Sequence, residues 1–519
     1  MRWLLATCLL LVGAVWIATV MTKEPLRRFL EQRVNAELVG YTASIGQVAL
    51  HLRSFAVELR EVSVVQNALP RPPVFYVPAW RTHVDWRALL SGTLVARVEF
   101  DRPQIYLTPP QIGQELADRT RVTDRGWADA VNAVYPIDID AVRVTGGSIT
   151  YFDVAPLRPL QLHDVDLDAG NIKSHPAVRG TYPSPLHLTA RLLDRGRVTI
   201  DGKADFTAVP DPAVQARFAL DDLSLAYLAP LLVPYSIRMQ GGALAANGRL
   251  EWTAARRRVE IADVSLTSVK ADWIHRARTA DDEAARAKRF ARAVAVTEKT
   301  PDVRLDIARA RLVGGEFGFV DEAATPRYRV YVTHTALTLR GYSNASTGRA
   351  GSAAVAGRFM DSGKLTIDSR FRSGGRGPDF NLDVQLADVE LRRLNDLLRA
   401  HGGFDVAAGR FAFYSELTVQ NGRVNGYVKP LFTDMDVYDA KQDAQKPVLR
   451  QLYEGVVGGL ATVLEDHGRD AVATKADLSG PVDDPHASTL EIVLHLLQNA
   501  FVKAILPGLD RQRIHVTGR

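Results

Sequence analysis

The chain has 519 residues, 46% of them hydrophobic and 24% charged, and a formal net charge of +5. This is the composition of a folded protein, and the length predicts two to four structural units. The weak positive charge, without a dense Lys/Arg block, argues against nucleic-acid binding. The only cysteine is Cys8, which excludes disulfides, thiolate zinc sites and thiol nucleophiles from the rest of the chain.

An uncharged, mostly apolar segment runs from residue 3 to residue 21 and predicts a membrane-spanning helix. At 1.5 Å per residue it would cover about 28 Å, close to the hydrocarbon thickness of a bilayer. The predicted anchor includes Trp3, Leu10, Trp16 and Met21. A cleaved signal peptide is the alternative, but the run is long for one and no A-x-A site follows it.

The charges that flank this segment favour one orientation of the anchor. Arg2 precedes it, whereas Lys23, Arg27, Arg28 and Arg33 follow it. The positive-inside rule alone would therefore keep the body of the chain in the cytoplasm. A long following domain can be translocated despite such charges, so the orientation stays open at this point.

Three sequence blocks occur twice in the same order, at an offset of 166 to 168 residues. The pairs are 139–153 with 307–321, 194–201 with 361–368, and 212–232 with 378–398. A constant order at a nearly constant offset predicts an internal duplication. The first blocks contain Gly146-Gly147 and Gly314-Gly315, which predict hairpin turns between two strands.

The third pair of blocks alternates between apolar and polar residues, and so predicts strands with one apolar face. The apolar positions in the two copies are Val214, Phe218, Leu220, Phe380, Leu382, Val384 and Leu386. Leucines at helical spacing follow each strand, so each copy should consist of hairpins and then a short helix. The fold class predicted from these patterns is mainly β with flanking helices.

Six regions are predicted along the chain. They are a transmembrane anchor (1–23), an N-terminal strand and helix unit (24–136), a first β repeat (137–269), a charged helical linker (270–302), a second β repeat (303–425) and a C-terminal strand and amphipathic helix region (426–519). Further helices are predicted at 110–134, 446–466 and 489–506, and further strands at 426–434 and 473–478.

The sequence contains no H-E-x-x-H, G-x-S-x-G or Walker A motif, and its 12 histidines are scattered. We therefore predict no enzyme, with no catalytic residues, metal site or cofactor. Asp153 and Asp321 recur at the same repeat position. We interpret them as turn residues that close a strand rather than as paired catalytic carboxylates.

The order of several loose motifs resembles the AsmA-like superfamily over nearly the whole chain. These motifs are the N-terminal anchor, the segment 73–107 with its Asp101, Pro103 and Ile105 step, the Gly-Gly strands, and a C-terminal Asn-Ala-Phe at 499–501. The resemblance is to the branch of membrane-anchored envelope proteins with a domain of unknown function.

This resemblance implies a single-pass inner-membrane protein with its body in the periplasm, and an elongated, curled antiparallel β-sheet whose concave face is apolar. It also implies phospholipid binding or transport along that groove, in support of outer-membrane integrity, with the seven apolar positions above as groove candidates. The alternating pattern alone fits a dry core between two packed sheets as well as it fits a groove. The alternative function is a non-enzymatic envelope scaffold or assembly factor, so the expected partners are membrane phospholipids or other envelope proteins, with no nucleic acid.

Overall fold

In a computed structural model of the chain, the described residues are mainly β and form 22 strands and few helices. The structure describes residues 24–51, 54–84, 95–117, 138–151, 159–172, 181–193, 195–206, 208, 213–233, 236–254, 256–276, 303–345, 350–372, 379–402, 405–438, 463–466, 471–474 and 476–481. Nearly all strand pairs are antiparallel. The predicted fold class, mainly β with an antiparallel sheet, is thereby confirmed.

The chain divides into two compact units, Met1–Leu223 with Arg249–Arg257 (unit 1) and Ser224–Gly248 with Arg258–Arg519 (unit 2). Unit 1 begins with helical residues 24–37, here α1. Its strands are β1 (Tyr41–His51), β2 (Ala56–Gln66), β3 (Phe75–Val84), β4 (Val95–Asp101), β5 (Gln104–Leu107), β6 (Asp138–Tyr151), β7 (Leu160–Ile172), β8 (Ser184–Leu192), β9 (Gly196–Asp205) and most of β10 (Ala213–Ser224).

Consecutive strands of unit 1 pair in an antiparallel meander, with one exception. Strands β4 and β5 both pair with β3 on one side and run parallel to β6 on the other. A parallel neighbour requires a crossover connection, and helix α2 (Pro109–Ala117) lies in that connection. Helix α2 confirms the start of the helix predicted at 110–134, while residues 118–134 lie outside the described residues.

Helix α1 covers the first strands of unit 1 and protects their edge. Leu30 is buried with residues of β1, β2 and β3. On the backbone of β1, Asn35 donates to Ala43 O at 2.9 Å and accepts from Ala43 N at 2.7 Å, and Glu31 accepts from Ile45 N at 2.7 Å. An edge strand exposes unpaired backbone groups, and these side chains satisfy three of them.

Unit 2 contains the remaining strands. Strands β11 (Ile237–Trp252) and β12 (Arg257–His275) lie mostly in it, followed by β13 (Val303–Asp321), β14 (Tyr328–Ser343), β15 (Ala350–Phe359), β16 (Gly363–Arg372), β17 (Asp379–Glu390), β18 (Asp405–Gln420), β19 (Arg423–Tyr438), β20 (Val463–Asp466), β21 (Ala471–Thr474) and β22 (Ala476–Pro481). From β13 to β19 every strand pairs antiparallel with the next. Strands β21 and β22 both pair with β19.

The order of elements from β6 to β12 recurs from β13 to β19. In both stretches five strands lead to a 3₁₀ turn (Leu225–Leu228 or Leu391–Leu394) and a helix, α3 (Ala229–Leu232) or α4 (Asn395–Gly402). These helices confirm the predicted strand-to-helix change. Two strands then follow, so the recurrence extends through residue 438, past the predicted end of the second repeat at 425.

The glycine pairs do not form hairpin turns, and this prediction was wrong. Both pairs lie inside long strands, and the strand register shifts at each of them. Gly146 and Gly314 have positive φ angles of 63° and 70°, which marks a β-bulge that glycine adopts without strain. The second pair of repeated blocks (194–201 and 361–368) does contain hairpin turns, at Arg195-Gly196 between β8 and β9 and at Ser362-Gly363 between β15 and β16.

Two predicted helices contain strand residues instead. Lys270, the first residue of the predicted charged linker, belongs to β12, which continues to His275. Val463 and Leu464 belong to β20, at the end of the helix predicted at 446–466. The rest of both segments, and the helix predicted at 489–506, lie outside the described residues. Strand pairing outweighed the local helical composition at these positions.

The largest core belongs to unit 2, where α4 and the 3₁₀ turn before it pack onto the sheet. Leu391, Leu394, Leu397 and Leu398 are all buried among apolar residues of β17 and β18, including Phe380, Phe411 and Phe413. His401 of α4 also lies 3.0 Å from the hydroxyl of Tyr328 on β14. This part of unit 2 is therefore a sealed apolar core.

None of the helices in the described part of the chain has the length and apolar character needed to cross a membrane. The predicted anchor with Trp3, Leu10, Trp16 and Met21 lies outside the described residues, and so stays a prediction.

The different burial of the apolar faces of β17 and β10 gives the first testable prediction. Phe380, on the apolar face of β17, is 1% exposed, whereas Phe218, on the apolar face of β10, is only half-buried. Phe380→Ala should destabilise its surroundings by about 3–5 kcal/mol through loss of packing. Phe218→Ala should cost less than about 2 kcal/mol, because less apolar area is removed from water in the native state. Amide hydrogen exchange in β17 and β10 measures both, and equal losses would contradict the difference in burial.

Candidate apolar binding face

One row of apolar side chains crosses unit 1 from strand to strand. Each member lies directly opposite the next in the strand register, so all of them point to the same face. In strand order the row is Val48, Leu59, Trp80, Phe100, Val144, Leu167, Leu188, Ile200 and Phe218. Nine strands at about 4.8 Å spacing give the row a length of about 38 Å.

Burial along this row changes from one end to the other. Val48 and Leu59 are buried at 5% and 2% exposure beneath α1. From Val144 to Phe218 every member is half-buried. The apolar face of β6–β10 thus retains contact with solvent along five strands. Contiguous apolar surface that stays in contact with solvent is typical of binding sites, so this face is a candidate for one.

The opposite face of the same strands carries a row in which acidic side chains alternate with Arg or His. In strand order it consists of Glu58, Arg81, Glu99, Arg143, Asp168, His187, Asp201 and Arg217. The Arg143 Nε atom lies 2.7 Å from Asp168, and Arg81 lies 3.4 Å from Glu58. Opposite charges on neighbouring strands favour this register and keep this face solvated.

Glu58 is the buried member of the charged row, with a side chain only 4% exposed. His51 contacts its carboxylate at 2.8 Å and Arg60 at 3.2 Å. Burial alone would raise the pKa of Glu58, but the hydrogen bonds from Arg60 and His51 and the charge of Arg81 outweigh it and lower the pKa below 4.5. Unit 1 is therefore most stable with this carboxylate ionised.

Unit 2 has a similar apolar row, in the order Leu312, Leu337, Val355, Ile367, Val384, Ser415 and Val428. Leu337, Val355 and Ile367 are half-buried, whereas Val384, Ser415 and Val428 are buried. The buried Ser415 hydroxyl donates to Tyr427 O at 3.0 Å. The apolar face is accessible on β14–β16 and sealed on β17–β19.

Exposed aromatic side chains lie near the bulge in β13. Phe317 is 38% exposed and Trp273 41% exposed. The ring of Trp273 meets that of Phe319 edge-on at a centroid distance of 5.8 Å. Aromatic rings supply a large apolar area at small entropic cost, so this group extends the accessible apolar surface of unit 2.

The structure places the seven predicted groove residues in two different environments. Val214, Phe218 and Leu220 are half-buried on the accessible face of β10. The other four predicted positions share one face of β17 but are buried in the sealed core: Phe380, Leu382, Val384 and Leu386. Asn381 and Gln385, between them, are exposed on the other face. The lipid-contacting role of all seven stays a prediction.

Two further sequence interpretations concern single residues. Asp321 accepts backbone hydrogen bonds from Ala323 N and Ala324 N at 2.9 and 3.0 Å, as predicted for a turn residue. Asp153 lies outside the described residues. Within the described ranges no group of three or more His, Cys, Asp or Glu side chains could hold a metal ion. The charged row was missed, because register across eight strands cannot be read from one strand at a time.

The chain was compared with known proteins in two ways. No protein-family model matches it, and no curated protein sequence matches it either.

The pKa of Glu58 gives a prediction about stability and pH. A carboxyl group with a lowered native pKa stabilises the fold above its unfolded pKa, and this stabilisation is lost as the pH falls. Unit 1 should therefore lose stability as the pH falls below about 4.5. Glu58→Gln should lower stability at pH 7 by about 1.5 kcal/mol, because it removes the charged hydrogen bonds from His51, Arg60 and Arg81, whose side chains are themselves exposed. It should also flatten the acid dependence. Circular dichroism melts between pH 3 and pH 7 measure both, with Glu37→Gln as the exposed control. An unchanged acid dependence in Glu58→Gln would contradict the assignment.

Proposed function

We propose that the protein is an AsmA-like envelope protein, anchored in the inner membrane with its body in the periplasm, that binds or conducts phospholipid along its apolar sheet face. The observation that carries this proposal is the registered apolar row that stays half-buried on β6–β10 and on β14–β16. The recurrence of elements from β6–β12 in β13–β19 supports a duplicated lining.

The dimensions of the face fit an acyl chain. One leaflet of a bilayer contributes about half of the 30 Å hydrocarbon thickness, whereas the row in unit 1 is about 38 Å long. Each methylene moved from water to an apolar surface gains about 0.8 kcal/mol. The face therefore offers enough continuous apolar surface for the tails of a phospholipid, while the charged row keeps the other face wet.

This activity requires no catalytic group. Transfer of a lipid breaks no bond, so the protein needs only an apolar path, a solvated exterior and an attachment to the membrane that holds the lipid. The apolar segment 3–21 supplies the proposed attachment. In an envelope scaffold, by contrast, the apolar face would be covered by protein.

Site-specific photo-crosslinking in membranes tests the proposal. A probe at Phe218 or Ile367 should form phospholipid adducts, because both positions lie on the accessible apolar face. The neighbouring outer-face positions Arg217 and Asp368 are matched controls and should form none. A third control, Leu382, is sealed in the core of unit 2 and should also stay free of lipid.

Mass spectrometry of the adducts separates the two functions. Lipid at Phe218 and Ile367 alone supports the lipid-binding role. Protein adducts at these two positions would replace it with the scaffold role, and equal lipid labelling of all five positions would show non-specific contact and contradict the proposal.

A further inference from the structure

The outer face of unit 2 differs from that of unit 1 in its charge pattern. Arg309 and Arg311 on β13, Arg340 on β14 and Arg370 on β16 are all exposed. Arg309 and Arg340 lie directly opposite each other in the strand register. Like charges in this position destabilise a sheet. In unit 1 the corresponding face alternates in sign from strand to strand. Stability of the sheet therefore does not explain the facing arginines in unit 2.

Two of these arginines flank a small residue in a single row. Arg340 lies opposite Ser352 on β15, and Ser352 lies opposite Arg370 on β16. The two arginine Cα atoms are therefore about 10 Å apart, two strand spacings. The next outer-face residue on β15 is Ala354, so the strand between the two arginines carries only small side chains on this face. Both guanidinium groups can lean over the Ser352 hydroxyl.

The two arginines of this row are not paired with the acidic side chains nearest to them. Within the described ranges neither Arg340 nor Arg370 forms an ion pair or a side-chain hydrogen bond, whereas Arg309 pairs with Asp263 at 3.4 Å. Asp368 lies two residues from Arg370 on the same face, and its cross-strand neighbour is Asp383. The guanidinium groups of Arg340 and Arg370 and the Ser352 hydroxyl are therefore exposed to solvent, and neither guanidinium is paired with an acidic side chain of the described residues.

We infer that the row Arg340, Ser352 and Arg370 is a binding site for a phosphate group. Each guanidinium can donate two parallel hydrogen bonds to phosphate oxygens, and the Ser352 hydroxyl can donate a further one. The bound dianion or monoanion would also relieve the repulsion between Arg309 and Arg340. The phosphate could be carried by a lipid headgroup or by a soluble phosphate compound. This site lies on the face opposite the apolar row and does not rest on the proposed lipid path.

Isothermal titration of the full chain in uncharged detergent tests this site. The probes are inorganic phosphate and short-chain phosphatidylglycerol, with short-chain phosphatidylcholine as a zwitterionic comparison. Arg340→Gln with Arg370→Gln should weaken phosphate binding about tenfold or more, the loss expected for charged hydrogen bonds. Ser352→Ala should weaken it less. Arg143→Gln with Arg217→Gln removes the same charge from the outer face of unit 1 and should leave binding unchanged.

The probes also identify the source of the phosphate. Binding of inorganic phosphate and phosphatidylglycerol supports a site for the phosphate group itself, and binding of phosphatidylglycerol alone supports a headgroup site. Absence of binding to the wild-type chain would overturn the inference. An equal loss in both double variants would also overturn it, because net charge and not this row would then explain the affinity. Unchanged far-UV circular dichroism shows that the variants fold.

Discussion

The structure depends on the two-residue period of its strands and on the register that carries this period from strand to strand. Because successive side chains point to opposite faces, the alternation in each strand becomes a continuous surface only when apolar positions lie opposite one another. In unit 1 this holds from Val48 to Phe218, with charges of alternating sign behind it. A shift of one residue in any pairing would turn apolar side chains to the wet face.

The access of solvent to this apolar surface depends on what covers it. The 3₁₀ turn and α4 of unit 2 place four leucines over β17 and β18 and seal that end of the sheet. The equivalent helix α3 ends after four residues, and Val233, which follows it, is 56% exposed. The two copies therefore differ in cover: the apolar face of β17 is buried, whereas that of β10 is half-buried.

Strand positions and faces could be predicted from the sequence, because alternation is a local signal: the faces of β10 and β17 were assigned correctly. The glycine pairs were misassigned, since a bulge and a hairpin turn require the same positive φ and only strand pairing separates them. The burial of each strand residue could not be predicted from the alternation either, because it depends on elements that are distant in sequence. Phe218 and Phe380 follow the same pattern, but only the second is covered by a helix. The Arg340–Ser352–Arg370 row joins three strands and has no signature in any one of them.

The most direct test of the account is cysteine accessibility, because Cys8 is the only native thiol. In a Cys8→Ser background, single cysteines at Ile200 and Val355 probe the accessible face, and one at Val384 probes the sealed core. The account predicts that a water-soluble maleimide labels the first two rapidly in lipid-free detergent, that added phospholipid slows this labelling, and that Val384→Cys is protected in both conditions. Protection of Ile200→Cys and Val355→Cys equal to that of Val384→Cys, with or without lipid, would show a closed core and contradict the account.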